Sequence, residues 1–429
     1  MQFSSSDYFR LFFGELERQQ IPYLLLHSYE QLPEKVSSDI DFAVFTRDLP
    51  RLPRIQSDLA ERNGWRLAQV IEAHIYALYS VVLDPRNSGA FLQLDACGHY
   101  VENDCFFLSD KLLLDDRRRF REFYIPAPAT EFAYLLAKAA AKAQPLAPRL
   151  ARLRELWQSD PAKVEDRFQE LCGRRCGSLS EWFSKSPSEW ESLCPVLLRK
   201  NRFGLGNRMR EANRIVKRIA QPEGLHLAVL GPDGCGKSTL IERVGPMIQQ
   251  PIFRRQLVVH FRPKVFEGNH ADVPVTNPHE KPPRGHLATF AKLLYYFSDY
   301  VIGHFFKILP AKARDELIIF CRNFDDLLID PRRYRLNAST RFTSWLRRLV
   351  PKPDLTFVLD AEPEEIHLRK PELSLDELRR QRSEFKRLAD ENQRYLVINA
   401  QAPPEAVASA LYREVAEFLA AREKGRLTA

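Results

Sequence analysis

The feature that most constrains this chain is a run of nine residues near its middle. Gly231-Pro-Asp-Gly-Cys-Gly-Lys-Ser-Thr239 fits the pattern Gly-x4-Gly-Lys-[Ser/Thr]. The apolar run LHLAVL (225–230) leads in and the helix-forming run TLIERVGPMI leads out. A strand, a glycine-rich loop and a helix in that order build a cradle for phosphate. The glycines let backbone N–H groups turn towards the oxygens, and the helix N-terminus adds its positive end. Lys237 is placed to reach β- and γ-phosphates, and the Ser238 hydroxyl to ligate magnesium. The expected cofactors are ATP and Mg2+. The expected cofactor-binding set is Gly231, Gly234, Cys235, Gly236, Lys237, Ser238 and Thr239. Strand and helix patterns alternate from here to the end of the chain, which implies a parallel sheet with flanking helices, the P-loop NTPase arrangement.

Asp233 inside the loop, within PDGCGKST, resembles the loop of thymidylate kinases, and further segments extend the resemblance over about residues 225–420. RNFDDLLIDPRRYR (322–335) follows the strand LIIF (317–320), as an Asp-Arg-Tyr segment does in that family. PDLTFVLDAEPEE (353–365) resembles its next strand, with Asp360 at the carboxyl end. RKPELSLDELRRQRSEF (369–385) resembles its arginine-rich lid, and YLVINAQAPPEAV (395–407) its last strand and adenine-side loop. More narrowly, the segment resembles the thymidylate kinase-like proteins found with bacterial surface-polysaccharide genes. The resemblance implies transfer of the γ-phosphoryl of ATP to a small acceptor, a nucleoside monophosphate or a sugar or glycan precursor. Asp233 would face that acceptor, and Arg322 and Arg262 (in HFRP) would hold its phosphate, since a planar fork suits that task. Lys237, magnesium and the lid arginines Arg369, Arg379, Arg380 and Arg382 would stabilise charge on the group in flight. Asp360 would join Ser238 near the metal. In one departure, Cys321 stands where the family has an Asp before Arg322. A thiol cannot replace a magnesium-shell carboxylate, and Asp325, Asp326 or Asp360 would have to compensate.

At 429 residues, the chain exceeds what one core serves. The expected division is 1–125, an α/β domain; 126–221, a helical connector; and 222–429, the phosphate-binding domain. In the first, Phe9 to Gln19 reads as a helix, and YLLL (23–26), IDFAVF (40–45) and AFLQLD (90–95) as strands. Asp39 and Asp41, at i and i+2, share a strand face, and Asp95 closes another strand. Three carboxylates at strand ends suit a two-magnesium centre for nucleotidyl transfer. LLLHSYEQLPEKVSSDIDF (24–42) resembles the nucleotidyltransferase superfamily, where a Gly-Ser turn precedes Asp-x-Asp. Ser28 matches that Ser, and His27 stands in the Gly place, where a side chain crowds a triphosphate.

The connector reads as helical, with EFAYLLAKAAAKA (131–143) rich in helix formers. Eight Lys or Arg against Glu211 crowd Val196 to Ala220. That stretch is either a solvated helix face or, over 199–218, the footprint of an anionic partner. A net charge of +8 leans the same way without deciding it. Seven cysteines without regular spacing suit reduced thiols and a cytoplasmic location, and Cys172 with Cys176 lacks the second pair of a zinc site. No secretory signal is expected in the first twenty residues. Leu293 to Pro310, interrupted by Asp299, His304 and Lys307, reads as a buried or amphipathic helix rather than a span, with peripheral membrane contact the lesser alternative. A homodimer stays open. Two further readings are kept: the N-terminal acids as the working catalyst with the loop as a nucleotide sensor, and a nucleotide-switched, non-enzymatic scaffold.

Overall fold

The computed structural model describes residues 3–36, 39–266, 279, 282–337 and 339–428. Ser38, which opens the Ser-Asp-Ile-Asp run, lies outside the described residues. The chain is mixed α/β and divides into two units. The first comprises Met1–Asp84, Ala90–Val216 and Leu419–Ala429, and the second Pro85–Gly89 and Lys217–Phe418. Residues 126–216 of the expected connector therefore belong to the same unit as the N-terminal α/β region.

The first unit is built on a five-stranded sheet of β1 (Tyr23–Leu25), β2 (Ile40–Val44), β3 (Arg66–His74), β4 (Ala77–Asp84) and β5 (Asn87–Cys97), ordered β1-β2-β5-β4-β3. β1 runs antiparallel to β2, and β2 parallel to β5. Helix Ser5–Arg18 starts at a capping box in which Ser4 and Asp7 satisfy each other's backbone N–H. Its stripe of Tyr8, Phe9, Phe12, Phe13 and Leu16 is buried, with the Phe12 and Phe13 rings 5.8 and 5.3 Å from Phe42 on the sheet. Two hairpins follow, β6 (Tyr100–Glu102) with β7 (Cys105–Leu108) and β8 (Arg117–Phe120) with β9 (Phe123–Pro126). Helix Pro128–Ala141 begins with a proline in its first turn, where the missing N–H costs nothing. It is buried nearly all round, which explains its many alanines: large side chains have no room where helices surround it.

In the second unit β10 (Leu225–Leu230) lies at the centre of a five-stranded parallel sheet. β12 (Glu316–Phe320) and β13 (Leu355–Asp360) flank it, and β11 (Arg255–Val259) and β14 (Tyr395–Asn399) form the edges. All six residues of β10 are buried, as a strand covered on both faces must be. Because the strands are parallel, the loops that leave β10, β11 and β12 emerge at the same edge, the usual place for a ligand in an open α/β sheet. His226 on β10 is part of this core. Its ring lies 4.6 Å from Phe320 and its Nε2 has no hydrogen-bond partner among the described residues. Burial holds the imidazole neutral, with its pKa lowered to about 3.

The 293–310 stretch forms the helix His286–Gly303, one π turn at His304–Ile308 and the start of Leu309–Ala313. Among the described residues no helix is long and apolar enough to cross a membrane.

Candidate functional site

The glycine-rich loop joins β10 to the helix Lys237–Ile252, and its backbone needs glycine. Gly231 has φ +144°, and a Cβ there would stand 2.8 Å from Cys235 Sγ and 3.1 Å from Leu359 O. Gly236, at φ +97° and ψ +14°, caps the helix in the left-handed region. Lys237 curls back onto its own loop, donating to Gly231 O at 2.6 Å and Pro232 O at 2.9 Å.

Above the loop is a cleft of about 660 Å3. Among the described residues its lining holds seven lysines or arginines and a single acid, Asp233. Arg322, just past the end of β12, and Arg333, eleven residues beyond, both donate to Asp233, and Lys237 Nζ stands 3.5 Å from it. Burial alone would raise this carboxyl, but Lys237, Arg322 and Arg333 hold it far below the usual carboxylate range. Arg262, beyond β11, lines the opposite side and donates to the fully buried Asp299 at 2.8 Å. Asp299 also accepts from the backbone of Lys264 and Val265, so the carboxylate that interrupts the apolar 293–310 stretch is an anchor for this wall. Phe261 stacks on Tyr334 with centroids 4.7 Å apart, and Tyr334 Oη is buried with no hydrogen-bond partner among the described residues. Lys292 donates to Tyr334 O at 2.8 Å. Its own burial, with Arg284, Arg335 and Arg262 nearby, lowers its pKa to about 8. A cationic wall with an aromatic floor suits a ligand that carries both phosphate and a flat or apolar body.

The expected residues do not all meet there. Gly234, Gly236, Lys237, Ser238, Thr239, Asp233, Arg262, Cys321 and Arg322 line the cleft. Gly231 and the buried Cys235 shape the loop from beneath. Arg369 donates to Glu365 on its own helix and is half exposed, outside the cleft lining. Its neighbour Lys370 does line the cleft. Arg379 pairs with Glu364, Arg380 with Glu377, and Arg382 with Asp360 and Glu362. Asp360 accepts from Arg382 at 2.5 Å and Lys386 at 2.8 Å, and is not in the lining. Asp325 is committed to Asn323, Arg347 and Tyr395. Asp326 is buried, accepts from the Asn323 N–H, and is pushed up to about 6 by that burial despite Arg322. Sequence reasoning missed Arg333, Lys292, Lys370, Tyr296 and Tyr334. The RRYR stretch offered a signal for Arg333 and Tyr334, and the lid-like segment one for Lys370.

In the first unit, Asp41 and Asp95 stand directly opposite one another on β2 and β5. Asp39 is exposed just ahead of β2 and is close enough to act on Asp95. Burial first, then Asp41 and Asp39, push Asp95 up to about 7. Asp41 is opposed by burial but is lowered on balance by His27, Lys138 and Lys142. His27 meets Asp41 from the turn after β1, and Lys138 meets His27 from helix Pro128–Ala141. Cys172 and Cys176 are free thiols, Cys176 donating to Cys172 O. In the basic stretch, Arg210 donates to Tyr76 and Arg214 to Glu211 and to Glu72 O, while Leu205, Met209 and Val216 are exposed.

Neither a protein-family model nor a curated protein matches this sequence.

Proposed function

We propose that the second unit is a P-loop kinase that moves the γ-phosphoryl of ATP to a small acceptor, with a thymidylate kinase-like arrangement. The observation that carries this reading is the position of Lys237: at the head of a helix, on a left-handed glycine loop, lining a cleft with seven cations and one carboxylate among its described residues. The loop and helix N-terminus would bind the β- and γ-phosphates of ATP. Lys237 would exchange its two carbonyl partners for phosphate oxygens. Arg322 and Arg333 would hold the transferred group and the acceptor's anion on either side of Asp233, and the Phe261–Tyr334 stack would pack against the acceptor's body. Ser238 and Thr239, both exposed and lining the cleft, would supply the hydroxyl for a phosphate-bound magnesium ion, which commonly takes few protein ligands beside phosphate and water. When bound, the ion would neutralise charge on the phosphates. With Cys321 buried and Asp360 held by Arg382 and Lys386, turnover is expected to be slow relative to binding. The acceptor class is a nucleoside monophosphate or a phosphorylated sugar or glycan precursor.

The test follows ATP and magnesium through the purified chain, separating ADP from AMP plus pyrophosphate, with candidate nucleotides and sugar phosphates present. Wild type is compared with Lys237→Ala and with Asp39→Ala/Asp41→Ala. The expected product is ADP, reduced at least about 100-fold in Lys237→Ala and unchanged in the double aspartate variant. Pyrophosphate that disappears with the aspartates would overturn the proposal.

A further inference from the structure

The nucleotidyltransferase resemblance implies divalent metal between Asp39, Asp41 and Asp95, and the packing at these acids does not fit one. His27 Nε2 lies 2.6 Å from Asp41 Oδ2 and 2.5 Å from Lys138 Nζ. Its Nδ1 is 2.8 Å from Ser28 Oγ, and its ring stacks on Tyr134, which holds it in place. Lys138 Nζ is also 3.2 Å from Tyr134 Oη. His27 therefore fills the space directly against Asp41, and the Lys138 side chain stands immediately behind it.

A second lysine, Lys142, lies one helical turn on from Lys138 and lines the same pocket with Asp41, Asp95 and Glu102, and it pairs with Glu102 at 3.9 Å. A divalent ion needs hard oxygen ligands around it and loses affinity when cations share its shell. The pocket itself is about 50 Å3, space for a water or two and far short of a nucleoside triphosphate.

We infer that His27, with Lys138 behind it, occupies the face of Asp41 that a divalent metal would need in the first unit, so this carboxylate cluster is a metal-free centre and not a two-metal nucleotidyl-transfer site. The inference does not rest on the kinase proposal, which concerns the other unit.

The experiment measures Mn2+ binding to the full chain without nucleotide, by water-proton relaxation. Wild type is expected to show no site tighter than on the order of 1 mM that Asp41→Asn removes. Lys138→Met is expected to gain at least about tenfold in Mn2+ affinity, and Lys138→Met/Asp41→Asn to lose that gain. A tight wild-type site abolished by Asp41→Asn would overturn the inference, and that arm stands even if Lys138→Met does not fold. A folded Lys138→Met chain that gains no Mn2+ site would overturn it equally.

Discussion

Asp233 shows how one side chain can organise a site and compete with its ligand. It is the acid that Arg322, Arg333 and Lys237 face in the cleft, so any phosphate that enters must draw those cations away from it. Asp233→Asn is therefore expected to raise pyrophosphate affinity about tenfold, roughly 1.4 kcal/mol, while lowering ADP formation because the arginines lose their fixed orientation. Isothermal calorimetry beside the product assay checks both arms, and a loss of affinity would contradict the competitor role. His226 gives a prediction about pH. Its folded-state pKa is lowered from 6.5 to about 3, so the native state binds fewer protons than the unfolded chain in that interval. Its contribution is intact above pH 6.5 and is lost as pH falls towards 3, about 2 kcal/mol at pH 5. Urea unfolding at pH 7 and pH 5 is expected to show that loss in wild type and a smaller one in His226→Leu. At this scale legibility depended on distance along the chain. The loop residues are contiguous, and local geometry fixes their tasks. Arg333 meets Asp233 from 100 positions away and Lys138 meets His27 from 111, and no periodicity links such pairs.

Among elements, the strands were the most legible part. LHLAVL is β10 residue for residue, and the strands read at 23–26, 40–45 and 317–320 differ from β1, β2 and β12 by a residue at most at either end. The parallel register of β2 and β5 sets Asp41 opposite Asp95, while Asp39, expected on the same strand face as Asp41, lies just ahead of β2. The β3–β4 hairpin was less visible: the mixed residues of RLAQVIEAH do not alternate cleanly, since the strand is buried over most of its first half on both sides. Charge on helices was ambiguous for a physical reason. An arginine four residues from a glutamate reads the same whether it serves a ligand or its neighbour, and Arg369 serves Glu365. The basic helix Leu205–Ala220 uses Arg210 and Arg214 to reach Tyr76 and Glu72, with part of its apolar stripe exposed, a combination that counting charges does not reveal. The element most sensitive to change is the glycine loop. Gly231→Ala sets a Cβ against Leu359 O, a backbone atom of β13 that cannot swing aside. It is expected to cost about 1–3 kcal/mol in urea unfolding and to abolish ADP formation, whereas Gly425→Ala, which meets nothing within 4 Å, should be neutral or slightly stabilising.

Over the whole molecule, composition indicated more than one domain and a lean towards anions, and the structure gathers seven lysines and arginines around one acid in a single cleft. The division into units was less legible, because the helices of 126–216 carry no sequence mark to show that they share a unit with the strands before them. The cleft has a kinetic consequence. Its cations arrive from the segments beyond β10, β11, β12 and β13, from Lys237 to Lys370 and so up to 133 positions apart, yet adjacent only when the parallel sheet is complete. Pairings of such long sequence separation form late, so a polyphosphate has little to grip in a half-formed chain. Bound pyrophosphate should slow unfolding while leaving the refolding rate nearly untouched. The ligand would then act as a latch on the finished fold, prolonging the lifetime of the native state without guiding the chain towards it.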